Sequence, residues 1–214
     1  LDVNLNKALK ALNASHTQFV TTNDEAYYFL RTLFGSHSSK KNGLPLIDYV
    51  GAITGGVNCA QNQVRYVLDG SPAETAGIKI GDEIICVNGQ SYVGQLSFKG
   101  SAGKAIQLHI QRTVAAGKQQ VITVEVRPTS RNDYNAYVEA IVKSAKVIKV
   151  KEGTIGYLHV WCGSEDAHNA IEEAMDKLMD TDGLILDLRE GYGGNFFNDL
   201  DIFYRPPAGY PSFT

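Results

Sequence analysis

Apolar residues along this chain recur at two spacings, and the switches between them divide it into three stretches. Leu5, Ala8, Leu9 and Leu12 stand at i, i+3, i+4 and i+7, which predicts an amphipathic helix ending before Ser15 and His16. A second helix follows. Thr22 with Glu25 three residues on forms a capping box, Ala26, Phe29, Leu30 and Leu33 keep the helical spacing, and Gly35 marks the exit into a loop over Ser36 to Gly43. From Ile47 to Arg127 the spacing shortens to alternating runs broken by glycine: DYVGAIT, QVRYVLDG, DEIICVNG, AIQLHIQR and VITVEVR. These predict a small β-rich domain. One short helix interrupts it at Ser71-Pro72-Ala73-Glu74, a capping box with proline at the first helical position, closed by Gly77.

Beyond Pro128 the helical period returns. Asp133 to Ala145 predicts a helix with Tyr137, Ala140, Ile141 and Ser144 on one face, and Lys146 to Lys151 pairs through a Glu152-Gly153 turn with Ile155 to Trp161. Ser164 caps a helix through Met179, with Ile171, Ala174, Met175 and Leu178 inward, and Thr181-Asp182-Gly183 ends it before a strand over Leu184 to Leu188. Strand, helix, strand in so short a span is a βαβ unit, which requires parallel pairing. The second strand, in GLILDLREGYGGN (Gly183 to Asn195), is apolar throughout and reads as buried; it ends in a Gly-Gly turn, where ligands of open α/β sheets gather. Gly193 and Gly194 let backbone approach a substrate and leave N–H groups able to hold an oxyanion; equally, they serve a tight strand-to-helix connection and nothing more. The fold class expected is mixed α+β: an N-terminal helical segment (1–46), a β-rich domain (47–128) and the first part of an α/β core (129–214). A lone βαβ unit cannot cover its own sheet, so that core is expected to be truncated.

Composition removes several function classes. A formal net charge of -3 gives no general attraction to nucleic acid, and no apolar run approaches the roughly 20 residues that span a bilayer. Cys59, Cys86 and Cys162 are odd in number and widely spaced, and His109, His159 and His168 lack ligand spacing, so neither a disulfide framework nor a metal or cofactor site is expected. His37 falls in the Ser36 to Gly43 loop. Gly100-Ser101-Ala102-Gly103-Lys104-Ala105 departs from a P-loop at Phe98 and Ala105, and reads as a strand connection. Cys162 and His168 flank a helix start and read as packing and surface residues. Asp187 and Arg189 at the strand end read as a structural ion pair.

Within the β-rich stretch, Asp69 to Gln90, DGSPAETAGIKIGDEIICVNGQ, resembles the core of a PDZ domain of the protease-associated kind. With Tyr157-Leu158-His159-Val160 and LILDLREGYGG behind it, the chain from about His16 to Phe203 resembles the C-terminal processing, or tail-specific, serine peptidases, nearer their tricorn-core and retinoid-binding branch. The resemblance implies an oxyanion-hole N–H in the Gly193-Gly194 turn. It also makes His16 in LNASHT the candidate general base, with Ser15 helping to orient it. The family's nucleophile lies tens of residues past the Gly-Gly turn, so this polypeptide alone is expected to be inactive, as a fragment of a serine endopeptidase acting by acyl transfer. Tyr49-Val50-Gly51-Ala52 resembles the loop that binds a peptide carboxylate, which implies polypeptide partners held by their C-terminal tails. Only Gln95 to Lys99 remains where the family's PDZ holds the helix forming the groove's other wall, so a missing or single-turn helix is expected there. The alternative is a noncatalytic peptide- or ligand-binding protein on the same scaffold. Bacterial relatives work mostly outside the cytoplasm, which implies a periplasmic, cell-envelope or extracellular location.

Overall fold

The computed structural model describes residues 2–14, 17–34, 45–55, 60–194 and 202–203. They form two compact units, 1–134 and 135–214.

The first unit begins with helix α1 (Asp2–Lys10) and helix α2 (Glu25–Leu33). The expected cap at Thr22 is not used. Asp24 precedes the helix, and its Oδ2 turns back to accept from Thr21 N at 2.8 Å and Thr21 Oγ1 at 2.9 Å, so a local turn takes over the capping oxygen. Strand β1 (Leu46–Tyr49) pairs antiparallel with β8 (Thr129–Asn132), which brings the two ends of the β-rich stretch together. Helix α2 is seated on this pair. Asn132 Nδ2 donates to Thr32 Oγ1 and to Pro45 O, each at 3.0 Å, and the rings of Phe29 and Tyr134 lie 5.7 Å apart. Asp133, fully buried beneath them, has its carboxyl pushed well above the usual range by burial and by neighbouring Glu25, against the pull of Arg131.

Between β1 and β8 run β2 (Ala52–Thr54) and β3 (Val64–Val67), an antiparallel pair, then helix α3 (Pro72–Thr75). A four-stranded antiparallel sheet follows, with strands β4 (Glu83–Val87), β5 (Gln90–Ser91), β6 (Ile106–Thr113) and β7 (Gln119–Val126) in the order β5-β4-β6-β7. The run DYVGAIT is therefore two strands rather than one: Gly51, at φ +82°, turns the chain between β1 and β2. Alternation decides the core. Ile106, Leu108 and Ile110 of β6 face inward against Val50, Ala52, Val64, Ile84 and Phe98, and each buried side chain of this size stabilises the domain by about 1.5–3 kcal/mol.

The motif residues of this unit fix one helix cap and one tie between strands. Ser71 Oγ accepts from Glu74 N at 3.2 Å while Glu74 Oε2 accepts from Gly70 N at 2.6 Å, and Gly77 leaves α3 at φ +74°. Asp82, 1% exposed, accepts from Arg112 Nε at 2.7 Å and Arg112 Nη2 at 2.6 Å, and its Oδ2 also takes Lys79 N at 2.8 Å. That carboxylate ties the turn before β4 to strand β6.

The second unit continues helix α4 (Asp133–Ser144), whose first two residues close the first unit. Tyr137, Ala140, Ile141 and Ser144 are buried on one face, as their spacing predicts. Strand β9 (Lys146–Val150) pairs antiparallel with β10 (Gly153–His159), and β10 pairs parallel with β11 (Gly183–Asp187) around helix α5 (Glu165–Asp176). Ser164 Oγ caps α5 through Ala167 N at 3.1 Å. The helix stops at Asp176, short of Met179, because Lys177 N and Leu178 N bond three residues back and tighten the last turn; Met175 is half-buried rather than inward. The βαβ unit is present, with the parallel pairing its spacing requires. Strand β11 is not buried, however: Leu184, Ile185 and Leu186 on it and Leu188 beyond it are 37–60% exposed, and among the described residues no strand pairs with its outer edge. Among the described residues no helix is long and apolar enough to cross a membrane.

Candidate functional site

At the C-terminal ends of β10 and β11 the parallel register sets His159 opposite Asp187. Alternation puts Tyr157, His159 and Trp161 on one side of the chain, so three polar or aromatic side chains share a face that the apolar run alone conceals. Asp187, 7% exposed, accepts from Tyr157 Oη at 2.9 Å, from Arg189 N at 3.0 Å, from Arg189 Nε at 2.9 Å and from Arg189 Nη2 at 2.6 Å. This is the structural ion pair expected at the strand end. The Arg189 bonds above all hold the Asp187 carboxyl well below the usual carboxylate range, and the same pairing raises the guanidinium.

The loop that follows is held at three further points. His159 Nε2 bonds Arg189 O at 2.8 Å, with its ring stacked 3.5 Å from Trp161; Tyr192 N donates to Trp161 O at 2.9 Å; and Gly163 N donates to Gly193 O at 2.7 Å. Tyr192 also sets its ring edgewise on Tyr137, 5.3 Å away. The last backbone bond orients a peptide. With Gly193 O fixed toward Gly163, the N–H of Gly194, on the opposite side of the same planar trans peptide, faces away from it. No described residue accepts a hydrogen bond from the Gly193 or Gly194 amide. Gly194 sits at φ +140° with its Cα against Gly163, where a Cβ would lie 2.0 Å from Gly163 O; a Cβ on Gly193, at φ +68°, would meet open space. The arrangement can present one backbone donor to an anionic oxygen. Ser15 and His16 lie outside the described residues.

The clamp can be checked apart from any chemistry. Asp187→Asn should lower the unfolding free energy by about 1.5 kcal/mol, the low end for a charge-assisted bond because the Arg189 side chain is 84% exposed. A depressed carboxyl contributes stability that is present above the unfolded value of about 3.9 and lost as pH falls through the folded one. Urea titrations followed by the fluorescence of Trp161, the one tryptophan, should therefore separate variant from wild type at pH 7. The separation should close only in acid, below the ordinary carboxylate range.

The neighbouring groups settle two other residues. Cys162 is buried, which together with Asp166 pushes its thiol up to about 12, too weakly ionised for a nucleophile. His168 lies 3.5 Å from Glu172 one turn along α5, a surface pair. Among the described residues no group of three or more His, Cys, Asp or Glu could hold a metal ion.

The second sequence-identified site, Tyr49-Val50-Gly51-Ala52, is the bend from β1 into β2 in the first unit. Its carbonyls are spent internally, Val50 O on Ala73 N and Gly51 O on Leu68 N, both at 2.9 Å, while no described residue accepts from the Val50 or Gly51 amide. A Cβ on Gly51 would lie 2.3 Å from Ser71 Cβ, so only glycine fits against the α3 cap. Where a second groove wall is expected, the chain makes a single 3-10 turn, Leu96–Phe98.

Residues 63–127 match the family model of the PDZ domain. Two relatives from Bacillus subtilis (strain 168) are similar over more than half of the chain: carboxy-terminal processing protease CtpB, 30% identical over 132 residues (58% of this chain, 25% of CtpB), and carboxy-terminal processing protease CtpA, 30% identical over 135 residues (59% and 26%). The chain thus spans about a quarter of the length of the curated relatives it matches. Among solved structures, photosystem II D1 C-terminal processing protease aligns with 92% of this chain and 51% of its own at 19% identity and a TM-score of 0.45. The chain carries a PDZ domain and is homologous to the carboxy-terminal processing proteases.

Proposed function

We propose that this chain is part of a serine-type endopeptidase that cleaves peptide bonds by acyl transfer, with its PDZ domain taking the C-terminal tails of polypeptide substrates. The observation that carries the reading is the Gly193-Gly194 peptide: its carbonyl is tied to Gly163, its amides are unspent among the described residues, and it stands at the strand ends of a chain homologous to processing proteases. In this reading His16 takes the proton from a serine Oγ as that oxygen attacks the scissile carbonyl carbon. The Gly194 N–H, with Gly193 beside it, holds the oxyanion that forms. Collapse of the tetrahedral intermediate breaks the C–N bond, the imidazolium returns its proton to the leaving amine, and water repeats the sequence on the acyl-enzyme. Ser15 steadies the imidazole. In this reading the serine and the carboxylate that complete the set come from the rest of the enzyme. Processing of this kind fits a protein of the cell envelope.

The test is a fluorophosphonate probe on the longer protein that contains this chain. Modification of one serine, blocked by prior incubation with a peptide substrate, is the expected result. An absence of labelling in a protein that still binds peptide would return the noncatalytic alternative.

A further inference from the structure

One side chain of the PDZ domain bonds to the strand that a peptide would join. A peptide that adds to β2 must lie about 4.8 Å from that strand, between it and whatever forms the opposite wall. The 3-10 turn Leu96–Phe98 stands where that wall is expected, and Tyr92, just before it, reaches β2: its Oη lies 2.9 Å from Thr54 Oγ1. The ring packs against the domain core with its centroid 5.9 Å from that of Phe98, and burial pushes the phenol up to about 12.

The segment carrying Tyr92 is fastened on two more sides. Gln95 Nε2 donates to Asp48 O at 2.9 Å, and the Gly100 and Ser101 amides donate to the Asp48 carboxylate, the latter at 3.3 Å. Gln95 N donates to Asn23 O at 3.0 Å, and Gly94, at φ +77°, lies so close that a Cβ there would be 2.4 Å from the same oxygen. A wall tied to β1, to β2 and to the residues before α2 does not leave as a unit. The tyrosine side chain is the part that can.

We propose that Tyr92 is the specificity-determining residue of this groove, a resident side chain that occupies the pocket for a peptide's terminal residue and must swing off Thr54 before a C-terminal tail can add to β2. The inference rests on the tail-binding reading given above. It requires the apparent affinity of the unmodified domain to be reduced by the small fraction of molecules with Tyr92 out. Small terminal side chains, which need the least of the pocket, are favoured over large ones.

The experiment uses the 214-residue chain and fluorescence anisotropy with a labelled decapeptide ending in valine, as the free carboxylate and as the amide. Tyr92→Ala should bind the carboxylate form about ten- to a hundredfold more tightly than wild type, as expected for freeing a pocket the size of an aromatic side chain, and should discriminate against the amide. Thr54→Val and Tyr92→Phe remove only the hydrogen bond and should tighten binding about three- to tenfold; they decide alone if Tyr92→Ala does not fold. Equal affinity of wild type and all variants would overturn the role of Tyr92 and leave tail binding standing. Folded variants that bind neither peptide would overturn both.

Discussion

Gly194→Ala is expected to lower kcat of the longer enzyme by about 10²- to 10³-fold, the cost of removing one oxyanion donor. The loss follows from position, since alanine keeps the N–H. A Cβ at residue 194 would lie 2.0 Å from Gly163 O, a backbone atom that cannot step aside without breaking the bond from Gly163 N to Gly193 O. A φ of +140° lies in a region that only glycine occupies freely, so the peptide rotates and its N–H leaves the oxyanion. Gly193→Ala is the control. Its Cβ meets no atom within 4 Å, and the left-handed conformation at φ +68° costs alanine about 1–2 kcal/mol, so the activity loss should stay within about tenfold. Steady-state kinetics on both variants, with folding checked by Trp161 fluorescence, separates the two. Equal losses would show that the Gly194 amide has no special role.

His16→Ala is expected to lower kcat/KM by about 10²- to 10⁴-fold, the usual contribution of a positioned general base. An imidazole is the side chain whose ordinary titration falls near neutrality, so the acid limb of the pH–rate profile should flatten in the variant. Ser15→Ala should cost less, since a group that orients the base leaves the base in place. The rate of fluorophosphonate labelling gives the same comparison without turnover. An unchanged rate in His16→Ala would reject its assignment.

Local chemistry was legible in the sequence wherever the determinant was itself local. The Ser71 cap, the Gly77 exit, the hairpin at Gly153 and the cap at Ser164 all depend on residues within four positions of one another, and all are present. Thr22 failed as a cap because Asp24, two residues on, competes for the same turn and engages Thr21. The parallel pairing of β10 with β11 followed from the βαβ spacing, but the exposure of β11 did not: an apolar run reports what a strand prefers to touch, and only the layers packed on its two faces decide whether it does. At the strand-end corner the glycines and the Asp187–Arg189 pair could be read directly. Tyr157, His159 and Trp161 could not, because their contacts arise from register with Asp187 and from the loop at Arg189, thirty residues away. Their period-two alternation on a predicted strand was the one signal available. In the PDZ domain the shortened second wall was visible as Gln95 to Lys99, whereas the tyrosine that reaches β2 showed itself only through its bond to Thr54.

The Gly194 amide is, on the proposed mechanism, an oxyanion donor. A crystal structure of the longer protein with a peptide boronate on its nucleophile tests it most directly. Gly194 N is expected about 2.7–3.1 Å from a boronate oxygen, with Gly163 N still on Gly193 O. A boronate oxygen held by other donors, with the Gly194 N–H bonded to a protein carbonyl, would contradict it.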